Sequence, residues 1–355
     1  MRIGVPREIK VLEGRVGLIP AAVADLVVRG HTVLLETGAG ILSGYRDDDY
    51  RAVGADILPD AAAVYGDAEL IVKVKEPLES ELALLRPEHL LFCYLHLAAN
   101  PHLLIALRDI GLTAVAFETV EESGGRLPLL APMSDIAGRL ATQIGMNLLY
   151  HPNGGKGILL GGLPAAERGS VVILGAGVVG HSAALVAAAL GAQVTVFDLR
   201  RERLEQVRAL GNNVTGLHPF AATLEEAVVN ADLLIGAVLV TGERAPHLVS
   251  ADTVRKMGNG SVIVDVSVDQ GGCIETTRPT DYSKPTFVWE GVVHCAVTNM
   301  PGAVPRSASQ ALSAALLPYV FKLTQDKWWE HPALYAGINL SHGEVVNPHI
   351  KTLLK

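Results

Sequence analysis

The stretch Ser170-Val-Val-Ile-Leu-Gly175-Ala-Gly177-Val-Val-Gly180 limits what this chain can fold into more than any other. An apolar run that reads as a buried strand breaks into three glycines spaced GxGxxG, and residues 181–190 then read as a helix. Gly175 permits the tight turn, Gly177 lets backbone approach a pyrophosphate, and Gly180 lets the helix pack close to the strand. The helix N-terminus offers free N–H groups to phosphate. The next apolar run, 193–197, ends in Asp198, where a carboxylate can accept from both hydroxyls of an adenine ribose and would repel a 2′-phosphate. The segment predicts a dinucleotide site that prefers NAD to NADP, with Arg200 and Arg201 as the opposing signal.

At 355 residues the chain exceeds the roughly 100–200 residues that one core organises, so two domains are expected. Residues 2–6, 31–36, 70–74, 90–94 and 113–116 are strand-like, with 20–29 helix-like among them. Such alternation predicts a parallel sheet with helical crossovers. Ile136, Leu140, Ile144 and Leu148 recur every fourth residue, so 134–150 reads as one long amphipathic helix. A glycine-rich loop, 153–162, leads into a second strand series at 171–174, 193–197, 233–237, 262–266 and 293–296. Helical pattern returns from 307 to about 326, and the weakly patterned residues after it are expected to pack on the first domain. The expected fold is α/β: two Rossmann-like doubly wound domains with parallel sheets, joined by long helices, with a cofactor cleft between them. The first domain is discontinuous, residues 1–128 plus 306–355, and 129–305 is the inserted nucleotide domain.

Hydrophobic residues make up 49% of the chain and charged residues 19%, with 36 glycines, which suits an α/β protein and not a disordered one. A net charge of -8, with no basic block beyond Arg200, Arg201 and Arg203, gives no footprint for nucleic acid or an anionic membrane. No run approaches the ~20 apolar residues of a membrane span, and Arg2, Arg7, Glu8 and Lys10 interrupt any leader-like start. Cys93, Cys273 and Cys295 are odd in number and lack metal-ligand spacing, as in a reducing compartment. These features predict a soluble cytoplasmic protein acting on small molecules, with no metal.

Further segments fall in a recognisable order: Met1-Arg-Ile-Gly-Val-Pro-Arg-Glu8, Glu13-Gly-Arg15-Val-Gly-Leu-Ile-Pro20, Lys73-Val-Lys75-Glu-Pro77, Tyr94-Leu-His96-Leu-Ala-Ala99, Leu130-Ala-Pro-Met-Ser134, Asp265-Val-Ser-Val-Asp269-Gln-Gly-Gly272 and Asn299-Met-Pro-Gly-Ala-Val-Pro305. In combination they resemble the alanine dehydrogenase family, whose relatives include the NAD-binding domain of proton-translocating transhydrogenase. The resemblance implies reversible oxidative deamination of L-alanine to pyruvate and ammonia with NAD, in a homo-oligomer that is commonly a hexamer. It implies that Arg15 and Lys75 hold the substrate carboxylate and keto oxygen, that His96 is the general acid/base and that Asp269 completes the centre. Positions matching family cofactor contacts are Ser134, Val178, Val179, Asp198, Arg203, Val238, Leu239, Val266, Ser267, Val268, Asp269, Arg278, Val297, Thr298, Asn299 and Met300. Around Leu217 to Ala222 the chain departs from the family pattern, so nothing is carried over there, and Lys322 does not look like a metal ligand.

The residue types suit that chemistry. A carboxylate needs fixed positive charge, which a guanidinium supplies as a fork and an ammonium as a point charge. Hydrolysis of an imine needs a group that titrates near neutrality, and His96 follows an apolar strand, at the strand end where open α/β sheets bind ligands. Asp269 sits in a glycine-rich turn beyond another strand, where it could hold an ammonium or carbinolamine. Two alternatives stay open: a dehydrogenase of another amino acid, including lysine or saccharopine types, and a non-catalytic NAD-binding subunit of the transhydrogenase kind.

Overall fold

The computed structural model describes residues 1–238 and 246–351, with Asp269 and Gln270 described in backbone only. The chain divides into two compact units, Met1–Met133 with Gly302–Lys355, and Ser134–Pro301. No helix among the described residues is long and apolar enough to cross a membrane.

The first unit is built on an eight-stranded sheet. Its parallel strands are β1 (Arg2–Val5), β2 (Thr32–Glu36), β3 (Asp56–Leu58), β4 (Leu70–Val72), β5 (Leu90–Cys93) and β6 (Thr113–Ala116). The second unit carries seven strands: β7 (Ser170–Leu174), β8 (Gln193–Phe197), β9 (Val214–Leu217), β10 (Leu233–Gly236), β11 (Val262–Asp265), β12 (Thr286–Trp289) and β13 (Val292–Cys295). The first sheet is completed by β14 (Ile338–Ser341) and β15 (Glu344–Val345), with β14 antiparallel to β6. The order is β15-β14-β6-β5-β4-β1-β2-β3 in one sheet and β12-β13-β11-β10-β7-β8-β9 in the other.

Both sheets share the order 3-2-1-4-5-6 at their parallel core, so each has one point, β1/β4 or β7/β10, where successive crossovers part to opposite sides. The central strands bury every side chain, β4, β5, β10 and β11 throughout, which is why they read as unbroken apolar runs. The strands not picked out in the sequence, β3, β9, β12, β14 and β15, lie at the sheet edges or next to one, and all but β14 are short or partly exposed.

The long helix runs Ala131–Leu148, starting three residues before the expected 134, with Pro132 tolerated in the first turn. Its buried face is not the predicted stripe. Ala137, Leu140, Ala141 and Thr142 are buried, whereas Ile136, Ile144 and Leu148 are only half-buried. Small residues set this face: a Cβ on Gly138 would lie 2.1 Å from the Val179 carbonyl oxygen, and Thr142 Oγ1 donates to the Ala183 carbonyl at 2.9 Å. The later helix spans Pro305–Leu323, ending before the expected 326.

A buried polar cluster sits within the first unit. Lys73, with its side chain 1% exposed, lies between the Glu8 and Glu81 carboxylates at 3.4 and 2.9 Å, and Tyr65 Oη donates to Glu81 at 3.0 Å. Burial disfavours the Lys73 charge, but Glu8 and Glu81 outweigh it and hold the ammonium above its ordinary value. Removing only the cation strands two buried carboxylates, a loss of about 3–5 kcal/mol. Lys73→Met should therefore lower the thermal midpoint by about 6–20 °C; a calorimetric midpoint within two degrees of wild type would show that the cluster is not structural.

Candidate active site

Arg15, Lys75 and His96 lie beyond the C-terminal ends of β1, β4 and β5, three neighbouring parallel strands. Arg15 is 2% exposed. Its Nε and Nη2 donate to Glu13 Oε1 and Oε2 at 2.6 and 2.5 Å, and Nη1 donates to Met133 Sδ at 3.1 Å. Burial opposes the guanidinium charge, yet the Glu13 carboxylate more than compensates and raises its pKa. The fork edge expected to meet the substrate thus already holds Glu13.

The loop carrying Arg15 is fixed from the far end of the chain. Val16 N–H donates to Ser309 Oγ at 2.9 Å and Ile19 N–H to Ser313 Oγ at 3.1 Å, both serines buried in the helix Pro305–Leu323. Ser43 Oγ, which donates to the Gly14 carbonyl at 2.8 Å, also bonds Ser309 Oγ at 2.8 Å.

The two lysines of Lys73-Val-Lys75 part company. Lys73 is consumed by the buried cluster, whereas the Lys75 ammonium has no hydrogen bond or ion pair among the described residues. Glu8 orders this loop, accepting from Val74 N–H at 2.5 Å and Lys75 N–H at 3.4 Å. Burial, and next the nearby Arg15 charge, hold Lys75 below the ordinary lysine range. Two like charges thus converge, with the Glu76 and Glu13 carboxylates acting on Lys75 in the opposite sense.

His96 is exposed and adopts a left-handed backbone, φ 48° and ψ 40°. Its ring stacks on Tyr94 at 5.7 Å between centroids and 5° between planes. Tyr94 is buried, donates to the Leu129 carbonyl at 2.6 Å, and is close enough to Arg15 to feel its charge. Arg15, Lys75 and His96 therefore form one connected group. Asp269 belongs to the turn Val266–Gln270 after β11; its side chain lies outside the described residues.

In the second unit the candidate cofactor residues gather at the matching strand ends. Gly175 has φ +94°, and a Cβ there would meet the Ala237 carbonyl oxygen at 2.6 Å. Gly177 caps the helix Val178–Ala189, and a Cβ there would meet nothing closer than Arg203 Nη1 at 3.6 Å. Open space over a helix N-terminus, beside a guanidinium, fits a pyrophosphate. Gly180 is the opposite case, its missing Cβ falling 1.8 Å from the Gly175 carbonyl oxygen.

Asp198 follows β8 and accepts from Ala176 N–H at 2.7 Å and Arg200 N–H at 2.8 Å, with Arg203 Nη1 at 3.6 Å from Oδ2. Each oxygen keeps a lone pair for a ribose hydroxyl. Val238 follows β10, Val266, Ser267 and Val268 follow β11, and Val297, Thr298, Asn299 and Met300 follow β13. Val178 and Val179 open the helix after the glycine turn, and Ser134 lies in the first turn of the unit's leading helix. Arg278 is exposed over the Phe287 ring at 4.4 Å, and Leu239 lies outside the described residues.

Several organising acids escaped the sequence analysis: Glu8, Glu13, Glu118 and Asp265. Asp265 is buried at the end of β11 and accepts from Ser267 N–H at 2.9 Å and Cys273 N–H at 3.1 Å, fixing the turn that contains Asp269. Its burial raises the carboxyl pKa, against those N–H groups. The only signal for these residues was an acid inside or beside a motif.

Two family profiles match the chain: "Alanine dehydrogenase/PNT, N-terminal domain" over residues 4–137 and "Alanine dehydrogenase/PNT, C-terminal domain" over residues 141–348. The chain is 49% identical to an alanine dehydrogenase of Bacillus subtilis over 351 residues, covering 97% of this chain and 92% of that one. It is 44% identical to one of Mycobacterium tuberculosis over 357 residues, covering 99% and 96%. A solved L-alanine dehydrogenase superposes with a TM-score of 0.96 at 51% identity, covering 100% and 99% of the two chains. A solved transhydrogenase from Sinorhizobium meliloti gives 0.86 at 26%, covering 98% and 99%.

The two glycine environments separate folding from binding. Gly180→Ala forces the helix off the turn and should cost about 1–3 kcal/mol of stability. Gly177→Ala should leave the melting temperature within a degree or two and weaken NADH binding at least tenfold, as read by nucleotide fluorescence. Equal NADH affinity in Gly177→Ala and wild type would remove this turn from the cofactor site.

Proposed function

The chain belongs to the alanine dehydrogenase/PNT family, and from that premise we propose that it is an NAD-dependent L-alanine dehydrogenase, interconverting L-alanine with pyruvate and ammonia. The observation that carries this reading is the buried Arg15 near the Lys75 ammonium, which has no hydrogen bond or ion pair among the described residues, with the exposed His96 imidazole stacked on the tyrosine next to them. That set suits a small carboxylate whose imine carbon is attacked by a water that must lose a proton. We assign the first unit to substrate and the second to nucleotide. A cytoplasmic homo-oligomer, a hexamer, belongs to the same reading.

Arg15 and Lys75 hold the carboxylate and the keto oxygen. The glycine turn, Asp198 and Arg203 would hold NAD, which would supply the acceptor for the hydride that leaves the substrate Cα. His96 removes a proton from the water that adds to the imine carbon and returns one to the departing amine. Asp269 holds the ammonium end. The oxygen of pyruvate thus comes from water, and nitrogen leaves as ammonia.

Substrate and cofactor are tested together by following NADH formation with a panel of amino acids and either nucleotide. L-alanine with NAD should be turned over fastest, and NADH should bind about tenfold or more tightly than NADPH, a difference of ~1.4 kcal/mol. Faster turnover of a larger amino acid would overturn the substrate assignment. His96→Ala should lower kcat about 10²–10⁴-fold with NADH binding retained; a drop of only a few fold would remove His96 as the acid/base.

Lys75 also fixes the sign of a pH dependence. Because its pKa lies below the lysine value of 10.5, raising the pH discharges it earlier than an ordinary lysine. The KM for pyruvate should therefore climb at pH values below 10.5. In Lys75→Met that climb should vanish, from a KM already about 10–150-fold higher, the equivalent of ~1.5–3 kcal/mol for one charged hydrogen bond. A pH-independent KM in the wild type would contradict the role given to Lys75.

A further inference from the structure

We propose that Glu118 is the positioning residue for the acid/base, holding the peptide of His96 in the left-handed conformation that places its imidazole. The proposal rests on His96 acting as the acid/base. β5 and β6 are parallel neighbours with Cys93 opposite Ala116, so the chain just past each strand end lies side by side. Beyond Cys93 the Tyr94 N–H still reaches the Val74 carbonyl at 3.0 Å, and the ladder then stops, so that the N–H groups of Leu95 and His96 turn to a side chain. Glu118 supplies the acceptor: Oε1 takes the His96 N–H at 2.7 Å, and both oxygens lie 3.3 Å from the Leu95 nitrogen.

The bond acts where the backbone is strained. A non-glycine residue at φ 48° and ψ 40° gives up about 5- to 30-fold in population, the ~1–2 kcal/mol cost of the left-handed region at 1.36 kcal/mol per decade. Two N–H groups on one carboxylate offset that cost, because charged acceptors make the stronger hydrogen bonds. Tyr94 sets the other coordinate. Its ring is anchored through the Leu129 carbonyl and lies parallel to the imidazole. Peptide held from one side and ring from the other, His96 is aimed although it is exposed.

Glu118 touches neither the substrate position nor the cofactor turn, so its effect should fall on kcat. In the full-length enzyme Glu118→Ala should lower kcat about 5–30-fold, with the KM for alanine and the Kd for NADH changed less than twofold. Glu118→Gln, which keeps one acceptor oxygen for the His96 N–H, should recover most of that loss. The decisive measurement is the double variant. If Glu118 works through His96, Glu118→Ala in a His96→Ala background costs nothing further, since residues acting as a unit are not additive.

A full additional loss in the double variant, or no recovery with Gln, would overturn the proposal. A Glu118→Ala protein that no longer bound NADH would point to a general folding role, and Glu118→Gln then decides alone. Should His96→Ala itself keep near wild-type turnover, the assignment of His96 fails first, a result separate from any behaviour of Glu118.

Discussion

Where a parallel strand ends, the backbone loses its partners, and the N–H groups of the following loop must find acceptors elsewhere. This chain meets that requirement with carboxylates placed just past the strand ends. Glu8 takes the N–H groups of Val74 and Lys75, Glu13 that of Arg15, and Glu118 those of Leu95 and His96. In the other unit Asp198 takes those of Ala176 and Arg200, and Asp265 those of Ser267 and Cys273. Each loop so held carries a residue assigned to substrate, proton transfer or cofactor. The rigid sheet edge is thereby extended by two or three residues into the region where chemistry happens, and a loop becomes as well fixed as the strand before it.

The same constraint explains what was legible in the sequence and what was not. The glycine turn announces itself because its three glycines, the strand and the helix are contiguous, and the missing Cβ atoms are required by contacts within a few residues. The buried strands are legible for the same reason, being unbroken apolar runs. Glu8 and Glu118 meet their partners across 66 and 22 residues, so their role depends on strand order, which periodicity does not supply. The serines that brace Arg15 are further still, 293 and 294 residues away, and in the helix they read as indifferent surface positions.

The long helix shows a different failure. Its fourth-residue apolar stripe is real, but the face that packs is set by how closely two backbones can approach, and Gly138 with Ala137 and Ala141 wins over the larger Ile136 and Ile144. A pattern of hydrophobic size finds a face only where burial area decides; here close approach decides, and the gain comes from many short van der Waals contacts and a bond from Thr142 Oγ1.

Charge accounting separates Lys73, Arg15 and Lys75, three basic residues of the first unit. Lys73 lies between Glu8 and Glu81, so its charge belongs to the core. Arg15 is matched by Glu13 in a two-toothed contact, so a 2% exposed guanidinium can stay charged without a ligand. Lys75 has no hydrogen bond or ion pair among the described residues, and burial and the Arg15 charge lower its pKa against Glu76 and Glu13. A half-buried cation lowered by desolvation and by a like charge is stabilised by a carboxylate of the right size. In the proposed site Arg15 contributes direction and hydrogen bonds, and Lys75 a charge whose lowered pKa a bound carboxylate would raise again, so that binding and protonation favour each other.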